Sequence, residues 1–83
     1  MGETVKILAF AGARDVLGHA EFELPVTHPC TAAELLADVC ERYPGLHPYR
    51  ASIRVAVNGA YAGPGDPVVA GDEVALIPPV AGG

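Results

Sequence analysis

The two most apolar runs of this 83-residue chain stand near its opposite ends, and few small folds accommodate that arrangement. Thr4 to Ala11 reads as a strand, with Val5, Ile7, Ala9 and Ala11 on one face and Lys6, Leu8 and Phe10 on the other. Apart from Lys6, both faces are apolar, which fits a central strand covered on two sides, or on one side plus a partner. Glu73 to Ile77 is the second such run. Two strands that both demand cover belong side by side at the centre of a sheet, so the chain between them must supply the flanks and one covering layer.

The intervening residues do so in order. Gly12 to Gly18 is too short for a full helix and reads as a single turn or loop closed by Gly18. His19 to Leu24 alternates Ala20, Phe22 and Leu24 against Glu21 and Glu23, a half-exposed strand that the Gly18-His19 turn pairs with the first. Pro25 ends it, and His28-Pro29 keeps the chain extended. Thr31-Ala32-Ala33-Glu34 is a capping box and predicts a helix running to about Tyr43. Leu35, Leu36, Val39 and Cys40 form its apolar face, Glu34, Asp38 and Glu41 face water, and Asp38 is placed to pair with Arg42. Pro44-Gly45 stops the helix, and Leu46 to Ser52 reads as a connector.

Ile53 to Val57 is again a strand, and Asn58-Gly59 then marks a hairpin, because a type I′ turn needs positive φ at both central positions. Ala60 to Ala62 is a short return strand, Gly63 to Pro67 a loop, Val68-Val69 a brief extended piece, and Ala70-Gly71-Asp72 a tight turn into the last strand. A hairpin, one helix, then further strands is an α+β plan with the helix across one sheet face. With the first two strands antiparallel and the last parallel to the first, this is the β-grasp (ubiquitin-like) arrangement: a mixed sheet of four to five strands with one main helix. Residues 1–83 are expected to form a single domain with a flexible C-terminal tail over residues 78–83. Leu8 and Phe10, with Leu76 or Ile77, are expected to leave an apolar patch that the chain does not cover.

Composition excludes several functions. A net charge of −5 argues against nucleic acid, which attracts Lys and Arg clustered on one face, and fits equally a partner with a basic docking surface or a simply solvated acidic surface. Cys30 and Cys40, ten residues apart, would be separated by about 15 Å along a helix, too far for a disulfide. Free thiols suit a reducing compartment. Neither a basic-then-apolar leader pattern nor an apolar run of about 20 residues is present, so the expectation is a cytoplasmic protein without membrane contact. His19, His28 and His47 lack ligand-like spacing and neither cysteine has a CxxC partner, so no metal site is expected. There is no GxGxxG or P-loop pattern, no recognisable nucleophile and no paired carboxylates. The chain alone is a poor candidate for an enzyme.

What remains is the C-terminus. After Glu73 no charged side chain follows; Pro78-Pro79 breaks the strand, Val80-Ala81 continues, and the sequence closes on Gly82-Gly83. Two glycines without Cβ atoms can thread a narrow channel and leave the carbonyl uncrowded, while the prolines limit the freedom lost on docking. A carboxylate there, attacking the α-phosphate of ATP, becomes an acyl-adenylate that a sulfur donor converts to a thiocarboxylate.

The run Gly71-Asp72-Glu73-Val74-Ala75-Leu76-Ile77-Pro78-Pro79-Val80-Ala81-Gly82-Gly83 closely resembles the C-terminus of the small subunits of molybdopterin synthase (MoaD), a ubiquitin-like sulfur-carrier family. Val57-Asn58 and the approach to Phe10-Ala11 and Arg14 are similar as well. The resemblance implies that Gly83 is adenylated by a ubiquitin-activating-like adenylyltransferase using ATP and Mg, then sulfurated by a sulfur donor. No cofactor is implied for this chain itself. It further implies that the tail enters the large synthase subunit (MoaE) and gives sulfur to cyclic pyranopterin monophosphate. The partner-binding residues so implied are Phe10, Ile77, Pro78, Pro79, Val80 and Ala81, with Gly82 and Gly83 as the reactive end. The aromatic pair frequent before Pro-Pro in that family is Leu76-Ile77 here, and Asn58 is followed by Gly59 where a polar residue is common. Carriers of other pathways (thiamin thiazole synthesis, ubiquitin-related modifiers) and a non-carrier β-grasp binding module stay open at this point.

Overall fold

In the computed structural model, which describes residues 3–10, 13, 15, 18, 20–26 and 28–78, the first and last strands do lie side by side. The elements are β1 (Thr4–Ala9), β2 (Glu21–Pro25), β3 (Cys30–Thr31), α1 (Ala32–Arg42), a 3-10 helix (Pro44–Ser52), β4 (Arg54–Val57), β5 (Ala60–Tyr61), β6 (Pro67–Val68) and β7 (Glu73–Ile77). The main sheet runs β2-β1-β7-β4-β5. β1 and β7 pair in parallel, with Lys6 opposite Glu73 and Ala9 opposite Leu76. β2 and β4 flank them antiparallel. This is the mixed five-stranded sheet of a β-grasp fold.

One face of the sheet carries the core. Val5, Ile7 and Ala9 of β1 and Val74 and Leu76 of β7 point the same way and are almost wholly buried. They meet Leu35, Leu36, Val39 and Cys40, which recur along α1 at helical spacing. Burial of such aliphatic side chains contributes about 1.5–3 kcal/mol each, which is how a chain this short holds together without a disulfide.

The start of α1 is heavily satisfied. Thr31 Oγ1 accepts from the Glu34 amide at 3.1 Å, and Glu34 Oε1 accepts from the Thr31 amide at 2.9 Å, the expected capping box. The amides of Ala32 and Ala33 donate to the carbonyls of Asp66 and Pro64 at 2.9 and 3.0 Å. The Gly63 to Pro67 loop thus serves as a cap, and two of its carbonyls take helix donors that an anion would otherwise seek. Asp38 pairs with Arg42 at 3.3 Å, as the spacing predicts.

Several expectations need correction. β1 ends at Ala9, so Phe10 lies just past the strand. The second strand is Glu21–Pro25, one residue longer at its end than the alternation suggested, with Pro25 still in register opposite Thr4. Cys30 is not on the helix; it sits in β3 opposite Val68, and β3 and β6 form a separate two-stranded sheet. The connector after Pro44 is a 3-10 helix that buries Leu46. Its proline at the first turn pre-sets φ, and short i→i+3 turns have no long apolar period to betray them. The hairpin after β4 is as expected, with φ of 51° at Asn58 and 86° at Gly59. Among the described residues no helix is long and apolar enough to cross a membrane.

Candidate functional site: the sheet face that α1 leaves uncovered

α1 covers one face of the sheet, and the strand registers define the other. Glu23, Lys6 and Glu73 form one cross-strand row on it. Glu21, Leu8, Ala75, Ala56 and Tyr61 form the next. Ile77 and Arg54 form the third. Phe10 follows directly after Ala9, which stands opposite Leu76 where β1 ends. Phe10 is 49 % and Tyr61 67 % exposed, values that large aromatic side chains rarely keep unless something else covers them.

The sequence left Leu76 and Ile77 as alternatives for this patch. Leu76 is completely buried beneath α1, and Ile77, half-buried, faces outward with Ala75. Pro78, also half-buried, follows directly, so the chain leaves the sheet at the edge of the apolar row. Pro79, Val80, Ala81, Gly82 and Gly83, like Arg14, lie outside the described residues. Of the partner-binding positions expected from the sequence, the described ones are Phe10, which follows the end of β1, and Ile77 and Pro78, at and after the end of the neighbouring β7.

Two residues of the face were not singled out from the sequence. Tyr61 stands opposite Ala56, and Arg54 places its guanidinium 5.6 Å from the Tyr61 ring centroid, within cation–π range. The signal for Tyr61 was present: a two-residue Asn58-Gly59 turn forces Val57 opposite Ala60 and hence Ala56 opposite Tyr61.

The opposite end of the face is polar. Lys6 Nζ lies 3.3 Å from Glu21 Oε2, and Thr4 Oγ1 donates to Glu23 Oε1 at 2.6 Å. Nothing in this network is buried, and its groups face water.

Burial first, then the Glu34 and Asp38 carboxylates, push the Cys30 thiol up, and burial does the same to Cys40 against the opposing charge of Arg50. Raised thiols are poorer nucleophiles at neutral pH. Among the described residues no three His, Cys, Asp or Glu side chains converge where they could hold a metal ion. An open groove of about 300 Å³ between α1 and β4 has no carboxylate, His or Cys in its wall.

Comparison with known proteins places this architecture. The sequence model described as ThiS family matches residues 7–83, nearly the whole chain and the entire tail. The chain belongs to the ThiS family. Among its relatives is the human molybdopterin synthase sulfur carrier subunit, 34 % identical over 82 residues that span 95 % of this chain and 93 % of that one. Among solved structures, the putative molybdopterin converting factor subunit 1 of Pyrococcus furiosus superposes with a TM-score of 0.83 at 27 % identity, covering 94 % of this chain and 99 % of that one. SAMP1 from Haloferax volcanii gives 0.81 at 29 % identity, covering 96 % and 99 %. The ThiS-family match and these relatives bear out the resemblance read from the Gly-Asp-Glu-Val to Gly-Gly stretch.

Proposed function

We propose that this chain is the sulfur carrier of molybdopterin synthase, with Gly83 as the group that is activated and sulfurated. The observation that carries the reading is the ThiS-family match through residue 83 of a chain whose last strand, β7, lies at the centre of the sheet and ends at Ile77 on the face that α1 leaves uncovered. Support for the molybdopterin branch comes from relatives such as the human sulfur carrier subunit, with the Pro78-Pro79-Val80 approach to Gly82-Gly83.

In this reading a Gly83 carboxylate oxygen attacks the α-phosphorus of ATP, held with Mg on a ubiquitin-activating-like adenylyltransferase. Pyrophosphate leaves and the acyl-adenylate forms. A sulfur donor then displaces AMP and leaves a thiocarboxylate. Phe10, Ile77 and Pro78 dock on the large synthase subunit, and Pro79, Val80 and Ala81 thread the tail inward. There the thiocarboxylate gives its sulfur to cyclic pyranopterin monophosphate. Gly82 keeps the approach free of a Cβ. The carrier contributes the reactive atom and the partners contribute the pockets.

Intact-mass analysis after incubation with the adenylyltransferase, ATP, Mg and a sulfur donor tests the first half: one oxygen is replaced by sulfur, and the change disappears when Gly83 is removed. An unchanged mass with a competent adenylyltransferase defeats the mechanism. Dithiolene formation with the large subunit and the pterin precursor tests the second half. Sulfuration without pterin conversion points to a carrier of another pathway, and attachment to protein lysines points to a modifier, a reading favoured by the likeness to SAMP1.

A further inference from the structure

The uncovered face is electrically split along the strands, and the split runs toward the tail. At the end away from the tail, Glu23 and Glu73 flank Lys6 in one row, and Glu21, one row on at the β2 edge opposite Leu8, reaches back to pair with Lys6, three carboxylates against one ammonium. At the end where the tail departs, Arg54 stands opposite Ile77 in the β4–β7 ladder. Among the described residues no carboxylate pairs with Arg54; its contact is the Tyr61 ring at 5.6 Å. Leu8, Ala75 and Ala56 form the apolar row between. In a chain of net charge −5, Arg54 is thus an exposed cation that forms no salt bridge among the described residues and lies over an exposed tyrosine. Arg and Tyr are also the residue types that most often anchor protein interfaces.

We infer that Arg54, braced by Tyr61, is a specificity-determining docking residue. The partner protein receiving the tail presents a carboxylate to Arg54 beside its tail entrance, and cationic side chains to Glu21, Glu23 and Glu73 at the far rim. The inference rests on the proposed function. An apolar strip alone would allow the partner to settle in either direction along the strands. Opposite charges at the two ends admit one direction, and only that one delivers Pro78 and the residues after it to the entrance. Flipping the orientation would bring like charges together, which complementary interfaces avoid. The acidic end also fits the basic docking surface that the net charge admits, while Arg54 marks where that surface must change sign.

The test uses the full chain and the large synthase subunit, with association measured at low and at physiological salt. Arg54→Glu is expected to weaken binding roughly ten-fold or more at low salt, with Arg54→Gln intermediate and Arg54→Lys partly restored. Arg50→Glu makes the same change in net charge on the exposed 3-10 helix and serves as the control; it should leave binding within about two-fold. Raising the salt should narrow the gap between Arg54→Glu and the parent chain. Equal effects of Arg54→Glu and Arg50→Glu would reduce the effect to net charge and overturn the inference, as would unchanged binding by Arg54→Glu and Arg54→Gln. Both outcomes leave the proposed function standing provided the parent chain binds and is sulfurated. If the parent chain does not bind the large subunit, both readings fall.

Discussion

Asn58 and Glu73, fifteen residues apart, clasp each other twice: the Asn58 amide donates to the Glu73 carbonyl at 2.8 Å, and the Glu73 amide donates to Asn58 Oδ1 at 2.9 Å. Asn58 Nδ2 adds a bond to Asp72 Oδ1 at 3.0 Å. The clasp ties the β4–β5 hairpin to the residue that begins β7, and so sets where the tail-bearing strand starts.

Replacing Asn58 by Ala removes both side-chain bonds and puts a residue ill suited to φ of 51° into the turn. A loss of about 1–3 kcal/mol is expected, from the bonds and the strain together. Urea denaturation reads it directly; Asn58→Asp tolerates positive φ but replaces the donor that faces Asp72 at 3.0 Å by a second carboxylate, so it should also be destabilised at neutral pH. A neutral Asn58→Ala result would show the clasp to be ornamental.

Asp72 gives the fold an acid-sensitive limb. The Val69 amide, at 2.9 Å, and then the Asn58 side chain hold its carboxyl below the usual carboxylate range. A folded value below the unfolded one means the unfolded chain binds the proton more readily. The stabilisation is therefore complete above the unfolded pKa and drains away as pH falls through the folded pKa. Denaturation midpoints followed from neutral pH downward should fall less steeply for Asp72→Asn than for the parent, and parallel curves would contradict the assignment.

Phe10, Tyr61 and Ile77 should behave as a binding group rather than a core. Phe10→Ala and Tyr61→Ala are expected to shift stability by less than about 1 kcal/mol, since both side chains are largely in water. Each should weaken association with the large subunit by about ten-fold or more if it is an anchor. Leu76→Ala, one residue from Ile77 but fully buried, should do the reverse and cost about 2–5 kcal/mol of stability. Calorimetry of folding alongside binding separates the two classes.

Gly82→Ala should slow sulfuration or transfer without moving the melting temperature, because it adds a Cβ only to the tail. A large drop in melting temperature would mean that the tail belongs to the fold's own packing.

The features that were legible in the sequence are those with a local chemical grammar. Thr31 and Glu34 announce a helix start because each satisfies the other's amide, and Asn58-Gly59 announces a hairpin because few other pairs accept two positive φ angles. The central β1–β7 pair followed from apolar residues on both faces. What stayed hidden depends on distant partners. Cys30 finds Val68 across a two-residue ladder too short to show alternation. Pro44 to Ser52 coils into a 3-10 helix around one buried leucine, Leu46. Ala56, on the outward side of β4, is buried all the same because its row neighbours include Tyr61 and Ala75. Arg54 escaped notice for a similar reason: a lone arginine in a strand says nothing until its register with Ile77 is known.

The position of β7 between β1 and β4 also has a mechanical consequence. If the tail is seated in a partner and the domain must leave, the pull runs along β7. A lengthwise pull shears the hydrogen bonds of a strand together, and an edge strand would bring only one ladder to that load. β7 is held by ladders on both sides, from Glu73 to Leu76 against β1 and from Val74 to Ile77 against β4, so a lengthwise load is shared by both ladders at once. The carrier is thus built as a handle: its end can be drawn out of a tight channel by the body without the strand that bears it peeling away.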